Sequence, residues 1–528
     1  MNPRIVTQPL AGNPLAAAVI AGNPPPDWYE PVPTDATSWR ERIESLRSDF
    51  AADWLARLAP AFEATGKAKE RLEASSGGRG VVVTTGQQPG LFGGPIYTLS
   101  KALSALALAD SLQEATGVPV APVFWAATDD TDFKEASSTI VSIPGGAQLL
   151  RIDHTEPLGL PMASMPLGDV SAQLEALTRA AGSTIDRTPL ELLERFYTPN
   201  QTIGSAYVSL LRALLAPLGI AVIDASHAAT RAAGKPVLSA ALDKAADIAA
   251  KISERNRAIE EAGFTPQVQA VPGLSLVFNS TPGGRKRVPI KGAAKKTASE
   301  DLGPNVLLRP VMERSILPTA TYIGGPAEIA YFAQVSPIAE VLGVAAPAIV
   351  PRWSCTIIEP HVGKILEKLH LAPEDFRNEH EVEARVARAH LPDRVIDEIN
   401  ATRGLLDKQL DGLSAAVAEE KAPLSPAVPE GLRANLMRRL DRFERRLIAA
   451  AKKKHADIMQ EIATARGSLY PLAKPQERAL NFVPLLARYG AGLRDDMLIE
   501  AREHAKRLVG MKGRSRPLEE AVTARVRS

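Results

Sequence analysis

Two groups of residues in this chain are of types and spacing that can do chemistry. The first is Gly86-Gln87-Gln88-Pro89-Gly90-Leu91-Phe92-Gly93-Gly94-Pro95-Ile96-Tyr97, followed by Lys101. It joins the β-branched run Val81–Thr85 to a Leu-, Ala- and Ser-rich stretch that reaches Glu114. A strand, a tight glycine loop and a helix N-terminus in that order can turn backbone N–H groups and the positive helix end toward a phosphate or carboxylate. The same glycines equally suit tight packing or positive φ. The spacing is neither a Walker loop nor G-x-G-x-x-G, so any anion site here is of its own kind. The second group is Asp129-Asp130-Thr131-Asp132-Phe133-Lys134-Glu135. It follows the apolar run Val118–Ala127, so its acids fall at the carboxyl edge of a strand, where ligands bind in open α/β sheets. A solvated turn and helix start would read the same, but sharing an edge with the Gly86 loop favours a cleft with one anion-binding half and one carboxylate half.

These groups need a sheet to hold them. Val81–Thr85, a helix over 95–115 and the strand Val118–Ala127 form a βαβ unit, which implies a parallel sheet covered on both faces. The fold class is therefore α/β. Further strands are expected at 148–152, 221–224, 267–270, 274–278, 306–308 and 348–350, with helices over 203–218 and 235–262. Thr321-Tyr322-Ile323-Gly324-Gly325-Pro326-Ala327-Glu328-Ile329-Ala330-Tyr331 repeats the strand, Gly-Gly-Pro loop and helix arrangement. Gly283-Gly284-Arg285-Lys286-Arg287 reads as a basic hairpin turn and 291–299 as a polar loop. The N-terminal region to about Thr37 is Pro- and Asn-rich and reads as irregular, and the apolar spacing from Trp39 to Glu73 as an amphipathic helix or pair.

From about Val362 the chain changes to long charged helices. Ile399, Leu406 and Leu413, with Ile396, Leu410 and Val417, mark a heptad seam, and a second helix from Gly431 to about Arg466 completes a coiled-coil hairpin. Its many arginines and lysines are interspersed with acids and read as a solvated face. The chain carries 62 basic and 60 acidic residues among 528, a net charge of +2, which argues against a dedicated nucleic-acid binder. The single Cys355 excludes an internal disulfide. No apolar run approaches the ~20 residues that span a bilayer, so a cytoplasmic protein is expected.

The motifs, taken in order, resemble those of the bacillithiol-biosynthesis cysteine-adding enzyme family. The matching residues are Thr85-Gly86-Gln87-Gln88, Gly90-Leu91, Gly94-Pro95, Tyr97 and Lys101, then Pro122-Val123-Phe124-Trp125 with its acidic run. Pro304–Pro310, Leu317-Pro318-Thr319, Tyr322–Tyr331, Pro351-Arg352, Ser354, Leu469-Tyr470-Pro471 and Pro475-Gln476-Glu477-Arg478 continue the match. The resemblance implies a Rossmann-like core over 1–360, similar to class I aminoacyl-tRNA synthetases, with insertions near 153–220 and 235–300. It also implies a dimerising coiled coil over 361–468 and a segment over 469–528 that returns to the core. The implied reaction joins L-cysteine to the amine of glucosaminyl malate. Because amide formation from a free carboxylate is uphill, activation by ATP through an acyl adenylate or acyl phosphate is expected, with Mg²⁺ a candidate companion.

On that basis Gly86, Gln87, Gln88, Gly90, Gly93 and Gly94, beside Tyr97, would hold the anionic part of a nucleotide, with Lys101 as charge partner. Asp129, Asp130, Asp132 and Glu135 would form the catalytic set, binding the cysteine ammonium, Mg²⁺ or sugar hydroxyls. Arg309 and Arg352 would be forks for malate carboxylates or a phosphate, and Gly324, Gly325, Glu328 and Tyr331 would shape the second loop. One departure stands out: Thr131 replaces the family's usual histidine, which removes the obvious general base. Two other readings follow from these residues: an adenylate-forming ligase of another amine, and a non-catalytic nucleotide-binding coiled-coil dimer.

Overall fold

The structure is a computed structural model that describes residues 2–153, 159–281, 284–293, 301–378, 380–420, 423, 425 and 427–511, apart from the side chains of Asp49 and Thr281. Its strands are β1 (Arg4–Thr7), β2 (Val81–Gln87), β3 (Val120–Ala126), β4 (Ser138–Ile143), β5 (Gly146–Arg151) and β6 (Ala221–Asp224). They continue with β7 (Leu274–Thr281), β8 (Gly284–Pro289), β9 (Asp301–Pro304), β10 (Thr319–Gly324), β11 (Ile349–Pro351) and β12 (Cys355–Ile358). A parallel sheet of order β11-β10-β2-β3-β6 forms the centre. Val81, Val82, Val83, Val123 and Phe124 are shut from solvent, as strands covered on both faces must be. The chain therefore has the expected Rossmann-like α/β core.

The helix Ile96–Thr116 joins β2 to β3 and is buried on nearly every side. It needs that apolar circumference because it packs both on the sheet and against the late helix Val483–Leu508. Gly117, at φ +73, ends it in a left-handed cap. Beside the main sheet stand an antiparallel sheet of order β8-β7-β9 and a β4–β5 pair.

The chain divides into two compact units: Met1–Val141, Leu149–Ile357 and Glu477–Ser528 in one, Ser142–Gln148 and Ile358–Gln476 in the other. In the second, helices Asp393–Glu419 and Ala427–Lys454 run antiparallel, tied by Arg403 to Asp441 at 2.8 Å and Arg433 to Asp407 at 3.0 Å. Of the seam residues, Ile399 and Leu410 are buried while Leu413 is exposed, so the hairpin by itself covers only part of the heptad stripe.

Several elements depart from the sequence expectation. The N-terminal stretch is not wholly irregular: β1 pairs with β12, and Asn13 caps the helix Pro14–Ile20. Residues 36–75 form three helices, because Phe50 is extended and Glu63 turns into the left-handed region. The stretch 235–262 is two helices, Ala228–Asp243 and Ala245–Glu261, broken at Lys244. The second arm of the hairpin breaks at His455, which sits at ψ 48 with its ring 4.7 Å from that of His390. No strand forms over 267–270. None forms over 306–308, where the Asn305 carboxamide accepts the N–H groups of Leu307 and Leu308 and turns the chain into the helix Arg309–Ile316. Gly283 and the 294–299 part of the expected polar loop lie outside the described residues.

Candidate functional site

A cavity of about 560 Å³ opens over the carboxyl ends of β2, β3 and β10, as the edge argument requires. Gly86, Gln87, Gln88, Tyr97 and Lys101 line one side, Asp129, Asp130, Thr131 and Glu135 another, and Gly325, Glu328, Tyr331, Arg309 and Arg352 a third. The three motifs separated in sequence thus meet around one space.

A line of hydrogen bonds crosses it. The Tyr97 hydroxyl donates to Glu135 Oε1 at 3.0 Å, and Gln88 Nε2 donates to Glu135 Oε2 at 2.6 Å. Gln87 Nε2 donates to the Tyr97 oxygen at 3.0 Å, while its Oε1 accepts from Lys101 Nζ at 3.2 Å. Lys101 also donates to the Gly86 carbonyl at 2.7 Å and pairs with Glu328 Oε2 at 2.6 Å. Glu328 is held further by the Tyr322 hydroxyl at 2.6 Å and the Gly325 N–H at 2.7 Å.

The electrostatics separate the two carboxylates at the ends of this line. Burial opposes ionisation of Glu328, but Lys101, Tyr322 and the Gly325 N–H outweigh it and hold its carboxyl below the ordinary range. At the other end, burial and then the charges of Asp132 and Asp130 raise Glu135, opposed by the Tyr97 hydrogen bond and by Arg478. Asp130 is raised as well, by burial and then by Asp129. A raised carboxylate facing a cavity is a stronger base than an ordinary one and is suited to accepting a proton.

The structure reassigns several expected roles. Gly90, Gly93 and Gly94 do not line the cavity. The Gly93 N–H is taken by the Gly90 carbonyl and the Tyr197 hydroxyl, and that of Gly94 by the Leu91 carbonyl. Gly93 sits at φ +89 with Phe482 only 2.8 Å from where a Cβ would be, so tight packing explains these glycines and an anion cradle does not. Gly86, Gln87 and Gln88 do face the cavity. Gly324 is also a packing glycine, since a Cβ there would meet Ile349 at 2.5 Å.

Asp132 does not line the cavity; it caps the short helix Phe133–Ala136 by accepting the Glu135 N–H at 3.1 Å. Arg352 is not an open fork, because Glu477 fills it at 2.8 and 2.6 Å. Arg309 is engaged by Glu313 at 2.8 Å and by the Tyr331 hydroxyl at 3.1 Å. Lys101 is spent on Glu328. Those cations neutralise protein carboxylates. The cavity's arginines without an ion pair, among the described residues, are Arg287 and Arg478. Both stood inside quoted motifs, the basic hairpin and Pro475–Arg478, but nothing in their spacing assigned them to this cleft. Among the described residues no three His, Cys, Asp or Glu side chains converge as a metal-binding group, so the acidic edge does not fit a resident Mg²⁺ cage.

The comparisons with known proteins decide the family. The model "Bacillithiol biosynthesis BshC, N-terminal Rossmann-like domain" matches residues 25–353, and the model of that family's C-terminal coiled-coil domain matches residues 355–508. The chain belongs to the BshC family. A BshC of Solibacter usitatus is 31% identical over 480 residues, covering 86% of this chain and 90% of the relative. One of Koribacter versatilis is 32% identical over 438 residues, covering 79% and 81%, and one of Salinibacter ruber 27% over 449, covering 79% and 80%. All three carry the name "Putative cysteine ligase BshC". The BshC match makes this a ligase-family enzyme with a Rossmann-like and a coiled-coil domain. Among the described residues no helix is long and apolar enough to cross a membrane.

Proposed function

We propose that this BshC protein condenses L-cysteine with the amine of glucosaminyl malate to form bacillithiol, acting in the cytoplasm as a homodimer joined through the coiled coil. The observation that carries this reading is a cavity walled by Glu135, with its raised carboxyl, and by Arg287 and Arg478, which form no ion pair among the described residues. The arginines suit the phosphates of ATP, whose cleavage supplies the free energy that activates the cysteine carboxylate. No step is assigned to Mg²⁺.

As the acceptor nitrogen forms its bond to the cysteine carbonyl carbon, the leaving group departs with its electron pair and the nitrogen must shed a proton. Glu135 accepts that proton, the role that Thr131 has no titratable group to fill. Tyr97 and Gln88 hold the Glu135 carboxylate in place from both oxygens. Lys101 and Glu328 keep the two loops in register and take no part in proton transfer. The thiol profile of cells lacking the protein tests the pathway step. Loss of bacillithiol with accumulation of glucosaminyl malate is expected, and an unchanged thiol pool contradicts the reading.

A further inference from the structure

The candidate site opens onto an apolar side cavity. This space, about 330 Å³, lies between the helix Ala245–Glu261 and the start of β7, and it shares Val268, Arg287 and Asn305 with the larger cavity as common lining. Ile248 and Ile252 wall it from the helix, and Leu274, Leu276 and Ile290 from the other side. Among the described residues, Arg287 is the one charged group in its lining.

The strand register puts that charge at the seam of the two spaces. Arg287 in β8 stands opposite Phe278 in β7, and directly opposed residues of an antiparallel pair share a sheet face. Phe278 lines the larger cavity, and the Arg287 guanidinium lies 5.6 Å from its ring. Burial works against the charge of Arg287, and it has no ion pair among the described residues, so an anion beside it would offset a standing cost. At the same seam the Asn305 oxygen accepts the N–H groups of Leu307 and Leu308 at 3.2 and 3.0 Å, which leaves its NH2 group to meet a ligand.

A ligand that fills both spaces has an apolar body at one end, anionic groups at the other and a polar neck between them. A purine nucleotide is built in that order. Its ring faces bury against aliphatic side chains, a ribose hydroxyl can accept from a carboxamide, and its phosphates pair with guanidinium groups. A free phosphate or a dicarboxylate would leave the apolar end unused.

We infer that the side cavity holds the adenine ring of ATP, with the phosphates passing Arg287 into the larger cavity. The inference rests on the proposed nucleotide-dependent ligation and adds the place of the base. It makes Ala249 and Ile252 determinants of nucleotide affinity that touch none of the reacting atoms.

Photolabelling of the wild-type protein tests the placement. ATP carrying a photoreactive azide on its purine ring should attach within the helix Ala245–Glu261 or the segment 268–276, and excess ATP should block the attachment. Calorimetry supplies a second measurement. Ala249→Trp, whose indole would enter the side cavity from a half-buried helix position, should weaken ATP at least about tenfold and leave inorganic tripolyphosphate within about twofold. Arg287→Ala should weaken both ligands about tenfold. ATP binding with the label confined elsewhere, or a folded Ala249→Trp protein with unchanged ATP affinity, overturns the placement alone. If Ala249→Trp fails to fold, the position of the label on the wild-type protein decides. Absence of ATP binding to the wild-type protein overturns the nucleotide reading and the placement with it.

Discussion

Lys101 Nζ lies 2.6 Å from Glu328 Oε2, and this buried pair joins the first helix of the sheet to the second glycine loop. Breaking a buried pair from one side leaves an uncompensated charge, so Lys101→Met should cost about 3–5 kcal/mol. Lys101→Met/Glu328→Gln should recover part of that loss. Glu328 has a folded pKa below its unfolded value, so its contribution is present above the unfolded value and is lost as pH falls through the folded one. Without Lys101, burial instead raises Glu328, and the deficit of the single variant should shrink on acidification. Urea midpoints at about pH 7 and about pH 4 read both effects; equal deficits at the two values would contradict the assignment.

Glu135 should set the acid limb of the rate. Its carboxyl is raised, so kcat/KM is expected to fall as pH drops through a value above the ~4.3 of an ordinary glutamate. The Tyr97 hydrogen bond favours the ionised form, so Tyr97→Phe should move the limb to higher pH. Asp132 raises Glu135, so Asp132→Asn should move it the other way. A pH–rate profile that none of these variants shifts would remove Glu135 from the chemistry.

The acids at the edge of β3 are not equivalent. Asp132→Asn keeps an oxygen to cap the helix Phe133–Ala136 and lies outside the cavity lining, so its kcat at neutral pH should stay within about threefold of wild type. Glu135→Gln removes the proton acceptor and should lower kcat by about 10²-fold or more. Steady-state kinetics on folded protein separate them, and the reverse order of losses would restore Asp132 to the site.

Gly93→Ala should destabilise by about 1–3 kcal/mol, from strain at φ +89 and the clash with Phe482. ATP binding by the folded protein should be unchanged. A selective loss of ATP affinity with an unchanged melting temperature would return the anion cradle to this loop.

The sheet was legible because its strands are continuous apolar runs that end in turn chemistry, and β6 falls where the sequence placed it. The edge rule then brought Gly86, Glu135 and Glu328 to one cavity. Partnership was not legible. The resemblance made Arg309 and Arg352 ligand forks, yet Glu313 engages Arg309 from one turn along a helix that the sequence reading did not place, and only the fold brings Glu477 to Arg352. The glycines misled for the same reason: Gly93 faces Phe482, distant in sequence, and a packing glycine and a cradle glycine are the same letter. Val306–Leu308 looked like a strand because the Asn305 turn that redirects it leaves little trace in hydrophobic pattern.

The central claim is a ligation, and the most direct measurement is mass spectrometry of the purified protein incubated with L-cysteine, glucosaminyl malate and ATP. Bacillithiol should accumulate in the wild-type reaction and fall at least about 10²-fold with Glu135→Gln. Folded wild-type protein that yields no bacillithiol under these conditions, or that joins cysteine to a different amine in preference, would contradict the account.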